Sequence, residues 1–370
     1  MATTLEIVGA IALYWGTILL IFNFLKNRMK DLQVNPIMII YKKETTLSFL
    51  ERIAGKKWLR PFLYAGILLT FLSLFLFYYT ILGVVASRFI STQATGGLVP
   101  IIPGITITGT AIIYVLFSIG ISATIHELAH AIASRAVGIP IKSVGFILSI
   151  FIPAAFVEPD EEKFNSAGRL KRAQVLSAGP ASNFIAGLIF LLVLSQISVA
   201  IPGASIVSTD DGYPAQQAGL NPGLVILAIN GTQIATPGDI SPIISKYANV
   251  SATFNITVYD PKTNTTFWKL VYKPSNFSRI GITVEQARAP SPIPDFLYFP
   301  LTNLLFYLYI INISLAIINA APIFITDGGK LVNDIIAWKF SGNTAKTLNF
   351  FVQIFTLLLI LSSITFTPIQ

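Results

Sequence analysis

The sequence predicts a polytopic α-helical membrane protein of about six transmembrane helices, with one small α+β domain inserted in a loop. Three observations predict it. The 370-residue chain is 54% hydrophobic and only 11% charged, where a soluble domain carries about 25% charged residues. Several apolar runs reach the roughly 20 residues needed to cross a bilayer. One long stretch between them, 201–296, is too polar to span and shows β-branched alternation and turn dipeptides. The net charge of +8 would suit nucleic acid, but the lysines and arginines gather in particular loops, so no nucleic-acid partner is expected. No cysteine is present, which excludes disulfides and thiolate ligands. Any metal site must therefore use His, Asp or Glu.

The candidate spans lie at about 5–24, 61–86, 107–134, 173–200, 297–321 and 348–366. Met1–Phe24 lacks a basic start, and Lys26, Arg28 and Lys30 follow its apolar stretch, so it does not read as a cleavable signal peptide. Residues 25–60 hold Lys26, Arg28, Lys30, Lys42, Lys43, Arg52, Lys56, Lys57 and Arg60 against Asp31, Glu44 and Glu51. Loops 135–172 and 322–347 are also basic, whereas loop 87–106 holds only Arg88. The positive-inside rule then puts both termini and residues 201–296 outside. Five Asn-x-Ser/Thr triplets in that stretch, at Asn230, Asn249, Asn255, Asn264 and Asn276, modestly support the assignment. Gly145–Val157 is an apolar run too short to span, suited to a re-entrant or interfacial segment that lines a site.

The chemistry centres on His126-Glu127-Leu128-Ala129-His130, which contains the only two histidines. On a helix, positions i and i+4 share a face. Two imidazoles there can bind one Zn²⁺, and Glu127 can act as general base toward water. Between Gly109 and Ile125 no residue is charged, so the motif reads as a zinc protease site within a membrane. His130 and His126 precede Arg135 by five and nine residues, or roughly 8 and 13 Å at about 1.5 Å per residue. That depth is the cytoplasmic part of the bilayer. The competing reading, two core histidines on an amphipathic helix, would bury two imidazoles and a carboxylate in a membrane without purpose.

A catalytic zinc site has three protein ligands, so the third must be a carboxylate here. Asp327, in Asn319-Ala-Ala-Pro322-Ile-Phe-Ile-Thr326-Asp327-Gly-Gly, is the candidate. Pro322 would break the helix, and Gly328-Gly329 would let the chain turn back. Asp327 also fits as a helix N-cap for 328–340. The ligand deficit favours metal binding. In Ser177-Ala-Gly179-Pro180-Ala-Ser-Asn183, Gly179, Asn183 and Gly187 share one helix face. This fits close helix packing, or an Asn183 that faces a catalytic chamber and holds unwound substrate backbone. Asn319 and Asn312 invite the same question. Asn319, nearer Asp327, is the favoured substrate-binding residue.

Together these stretches resemble the site-2 protease family of intramembrane zinc metalloproteases. His126-Glu127-Leu-Ala-His130, Asn319-x2-Pro322-x4-Asp327-Gly328 and Ser-Ala-Gly179-Pro180-x2-Asn183 match its three motifs, and Ala155–Glu162 looks like the segment after its re-entrant loop. Thr326 stands where many members have leucine. The resemblance implies cleavage of transmembrane segments, with Zn²⁺ on His126, His130 and Asp327 and Glu127 as base. Tyr213-Pro-Ala-Gln-Gln-Ala-Gly219-Leu220-Asn-Pro-Gly223 and Ile229-Asn230-Gly231 are similar to a protease-associated PDZ domain, with Leu224 in place of the usual aspartate.

The implied organisation is two N-terminal helices (1–106), a first catalytic part (107–200), an extracytoplasmic PDZ-like domain (201–290) and a second catalytic part with a last helix (291–370). The implied partners are a single-span membrane protein substrate, the lipid bilayer, and a peptide or new C-terminus at the PDZ-like domain, unless that domain is only a spacer. The alternatives are a catalytically silent metal-binding membrane regulator or PDZ-bearing scaffold, and a divalent-metal transporter. A transporter would need more intramembrane acids than the other spans carry.

Overall fold

The computed structural model describes residues 4–26, 28–43, 48–90, 97–102, 105–149, 152–197, 199–289 and 293–365. In chain order the elements begin with α1 (Thr4–Lys26), β1 (Leu32–Val34), β2 (Ile39–Lys43), α2 (Ser48–Ala54), α3 (Leu59–Ile90) and α4 (Ala111–Ala136). β3 (Ile141–Ser149), β4 (Ile152–Pro159), α5 (Glu161–Ser166) and α6 (Arg169–Ile197) follow. Then come β5 (Ala200–Thr209), α7 (Pro214–Gln217), β6 (Val225–Ile229), β7 (Thr232–Gln233), α8 (Ile240–Ile244), β8 (Ala252–Asp260), β9 (Thr265–Lys273) and β10 (Ile282–Arg288). The chain closes with α9 (Asp295–Ala320), α10 (Asp327–Lys339) and α11 (Gly342–Ser363). Two compact units result, Met1–Leu192 with Asn303–Gln370, and Val193–Thr302.

Among the described residues, five helices are long and apolar enough to cross a membrane: Leu59–Arg88, Ala111–Ala136, Arg169–Ile197, Phe296–Ala320 and Gly342–Ser363. This makes the protein a multi-pass helical membrane protein. The expected sixth span, 5–24, falls on α1, whose apolar stretch Ala12–Lys26 is shorter than the others. Small residues bring the bundle's backbones close, as they do in membranes generally. Gly66 of α3 faces Ala181 of α6, and Gly187 of α6 abuts Ile313 of α9. At one end, Leu59 and Leu63 of α3, Ala133 of α4, and Val175 and Ala178 of α6 form one apolar cluster. Polar pairs add local ties. Thr70 Oγ1 of α3 donates to Ser177 O of α6 at 3.1 Å, and Asn312 Nδ2 of α9 donates to Ser122 Oγ of α4 at 2.7 Å.

The described residues of the apolar run, 145–149 and 152–157, lie in β3 and β4, which pair antiparallel as a hairpin. The hairpin joins β1 and β2 in an antiparallel sheet of order β1-β2-β3-β4. β4 is an edge strand of this sheet and packs along α4.

The second unit is built on an antiparallel sheet of order β10-β5-β6-β8-β9, with β7 paired to β6. Ile206, Ile226, Ile229, Phe254, Ile256 and Val271 fill its core. Gly219, Gly223 and the Asn230–Gly231 pair take positive φ at its turns, where glycine and asparagine carry the least steric cost. Lys273 is fully buried. The three N–H bonds of its ammonium are shared among four backbone carbonyls, those of Ala248, Val250, Pro274 and Phe277.

Candidate metal centre

α4 carries His126 and His130 one turn apart, and their rings meet edge to face with centroids 4.7 Å apart. α10 delivers Asp327 to the same point. His126 Nε2, His130 Nε2 and Asp327 Oδ2 are mutually 3.1 Å apart. Three donors bound tetrahedrally at about 2.0–2.1 Å would be spaced by roughly 3.3 Å, so the triangle fits a zinc-sized ion. His130 Nδ1 lies 2.8 Å from Val175 O. That contact assigns the proton to Nδ1 and leaves the Nε2 lone pair for the centre, as an outer hydrogen bond does for metal-binding histidines. Among the described residues this His-His-Asp group is the one cluster able to hold a metal ion.

The glycine at 179 makes room for the triangle. A Cβ built there would lie 2.6 Å from His126 Nε2 and closer still to His130 Nε2. Read from sequence as a packing glycine, Gly179 in fact sits against the imidazoles. Pro180 follows it inside α6. Having no N–H, it leaves a carbonyl of the preceding turn without its helical partner.

Asp327 is the first residue of α10 and not its cap. Thr326 is the N-cap. Its Oγ1 accepts from Gly329 N at 3.1 Å and lies 2.6 Å from Ala321 O, to which it donates. The neighbouring hydroxyl thus serves the helix end, and the Asp327 carboxylate is free to face the histidines. The turn before α10 is tight enough to require both glycines. A Cβ on Gly328 would overlap the Ala320 carbonyl, and one on Gly329 the Ile323 carbonyl. Arg172 Nε donates to Asp334 Oδ2 at 2.8 Å, tying α10 to the start of α6. The sequence offered a signal for Thr326, a hydroxyl two residues before paired glycines, but not for its partners.

Glu127 follows His126 directly, and its Oε2 accepts from Val157 N of β4 at 3.2 Å. Glu158, next along β4, is held below the usual carboxylate range by its hydrogen bond to Lys42 and then by that to Ser143. Asn183 lies one turn beyond Gly179 on α6. It is fully buried, and among the described residues neither atom of its side-chain amide has a partner. Asn319 is half-buried in the last turn of α9. Asn312 is fully buried; its Nδ2 donates to Ser122 Oγ and to Leu308 O, while its Oδ1 has no partner among the described residues.

The family model for Peptidase family M50 matches residues 114–361 of this chain. The uncharacterized protein MJ0971 of Methanocaldococcus jannaschii is 31% identical over 239 residues, covering 64% of this chain and 58% of that protein. The zinc metalloprotease RasP of Shouchella clausii is 25% identical over 238 residues, covering 52% of this chain and 57% of that one. A membrane-bound transcription factor site-2 protease homolog of Arabidopsis thaliana is 26% identical over 161 residues, covering 40% of this chain and 30% of that one. The chain thus spans a little over half the length of the first two relatives and less than a third of the plant protein.

Proposed function

Because the chain belongs to Peptidase family M50, we propose that it is an intramembrane zinc endopeptidase of the site-2 type, which cleaves transmembrane segments of single-span membrane proteins. The observation that carries the reading is the triangle of His126 Nε2, His130 Nε2 and Asp327 Oδ2, with Glu127 on the same helix. Relatives named zinc metalloproteases support zinc as the ion.

His126, His130 and Asp327 would hold the metal, which supplies Lewis acidity toward a peptide carbonyl and water. Glu127 takes one proton from the water whose oxygen bonds to the carbonyl carbon. The C–N bond then breaks, and Glu127 hands that proton to the leaving amine. Val157 N–H donates to Oε2, and Oε1 is assigned the proton. A helix must unwind to be cut, and its freed N–H and C=O groups are costly to leave bare in a membrane. Asn183, with its unpaired amide, and Asn319 are assigned to hold them.

The Val193–Thr302 unit is read as a PDZ-like domain on the extracytoplasmic side, with the active site toward the cytoplasm. It would receive a peptide or the new C-terminus of a substrate already trimmed outside. Its antiparallel sheet with an edge strand, β10, supports strand addition.

The test compares wild type with Glu127→Gln on a panel of single-span substrates in detergent, with metal assayed in both. Cleavage by wild type alone, with about one zinc in each protein, is the expected result. Zinc in both with no cleavage by either would favour a silent metal-binding regulator or PDZ-bearing scaffold. Absence of metal from both would overturn the centre itself.

A further inference from the structure

The first turn of α3, the end of α2 and the last turn of α4 enclose a cavity of about 840 Å³, lined by Glu51, Lys56, Lys57, Arg60 and Arg135 among others. Arg135 is neutralised by an ion pair with Glu51. Lys56, Lys57 and Arg60 are exposed and have no acidic partner among the described residues. Three cations without an acidic partner among the described residues therefore share one concavity.

Its place in the bundle narrows the ligand. The cavity opens where one span begins at Leu59 and another ends at Ala136. Trp58 and Tyr64 stand exposed beside it, and such residues sit at headgroup depth in membranes. Trp58 meets Phe62 edge to face at 6.4 Å. Arg60 also heads a stripe along α3: Tyr64, Leu68, Phe71, Phe75 and Tyr79 follow at helical spacing, all exposed. A basic cavity continuous with a bare apolar stripe suits a molecule with an anionic head and acyl chains.

We infer that this cavity is a binding site for an anionic phospholipid, with the headgroup phosphate held by Lys56, Lys57 and Arg60 and the acyl chains laid along the Tyr64–Tyr79 stripe. A phosphodiester oxygen accepts readily from ammonium and guanidinium donors. Basic pockets between helix ends are a recurrent setting for such headgroups. A soluble phosphate would use the same cations but gain nothing from the stripe. The inference does not depend on the proteolytic reading, because the cavity contains none of the residues assigned to the metal or to catalysis.

The experiment is native mass spectrometry of the purified full chain in detergent, titrated with phosphatidylglycerol or with phosphatidylcholine of the same acyl chains. The variants are Lys56→Gln/Lys57→Gln/Arg60→Gln and, as an equal change of charge elsewhere, Lys26→Gln/Arg28→Gln/Lys30→Gln. Each cation at a leaflet is worth roughly fivefold in affinity, so the first variant is expected to lose phosphatidylglycerol by roughly 100-fold. The second should keep it, and phosphatidylcholine should bind weakly to all three proteins. Metal content and the circular-dichroism melt report whether a variant is folded. If the triple variant is not, Arg60→Gln alone is expected to lower the phosphatidylglycerol preference about fivefold. Equal retention by wild type and the first variant would overturn the site, as would equal loss in both triple variants. Displacement of phosphatidylglycerol by inorganic phosphate at matched concentration would assign the cavity to a soluble anion and overturn the lipid.

Discussion

Replacing Gly179 with alanine tests the geometry of the centre most directly. The new Cβ would lie 2.6 Å from His126 Nε2, where ordinary contact begins at 3.4 Å, so about 0.8 Å must be found. Metal–ligand distances tolerate only about 0.2 Å. The imidazoles cannot retreat freely, because His130 Nδ1 is anchored to Val175 O, on the same helix as the intruding methyl. Gly179→Ala should therefore weaken zinc binding at least 10–100-fold, the range seen when a supporting contact around a metal is lost. Gly187→Ala provides the control on the same face of α6. Its Cβ meets the Ile313 side chain at 2.7 Å, which can rotate, at a cost of about 1–3 kcal/mol and no loss of metal. The assay is zinc competition against a chromogenic chelator for the three proteins in detergent, beside their melting curves. Wild-type zinc affinity in Gly179→Ala would refute the placement of α6 against the histidines.

Three further outcomes follow from the same structure. Thr326→Val should cost about 1–2 kcal/mol through loss of the cap and weaken zinc binding, while Thr326→Ser retains both; chelator competition and thermal melts check it, and equal behaviour of Val and Ser would remove Thr326 from the support of Asp327. Lys273→Met should destabilise the Val193–Thr302 unit by about 1–3 kcal/mol, since it removes the buried ammonium that four part-buried carbonyls share; hydrogen exchange of β8 and β9 amides in the full chain should quicken with zinc content unchanged. Glu158 has a lowered folded-state pKa, so its contribution is present at neutral pH and fades as the pH falls through and below the ordinary carboxylate range; hydrogen exchange of the β3–β4 amides should rise on acidification in wild type and respond less in Glu158→Gln.

The metal-site candidates were legible because their chemistry is constrained at short range. The i, i+4 spacing of His126 and His130 is a helical fact, and a chain with no other histidine and no cysteine leaves only carboxylates for a third donor. The supporting contacts were not legible, because they are tertiary. Nothing local in Val175 says that its carbonyl meets His130, nor in Val157 that its amide meets Glu127. Gly145–Val157 was readable as apolar and too short to span but not as a hairpin, because a strand apolar on both faces loses its period of two. β1 and β2 are three and five residues long, too short to stand out inside a basic loop. Thr326 was visible as a departure from leucine and as a hydroxyl two residues before paired glycines. Its role as the cap emerged once Gly329 and Ala321 were seen around its hydroxyl.

The spacing of the proposed ligands along the chain also orders events in time. Asp327 follows His126 by 201 residues and His130 by 197. At a synthesis rate of about 5–20 residues per second, the histidines wait roughly 10–40 s for their third partner. Over that interval the proposed centre lacks its third ligand, so a chain stalled on the ribosome or cut short before α10 could not assemble it. Maturation of the proposed centre is thereby deferred until α10 has been made.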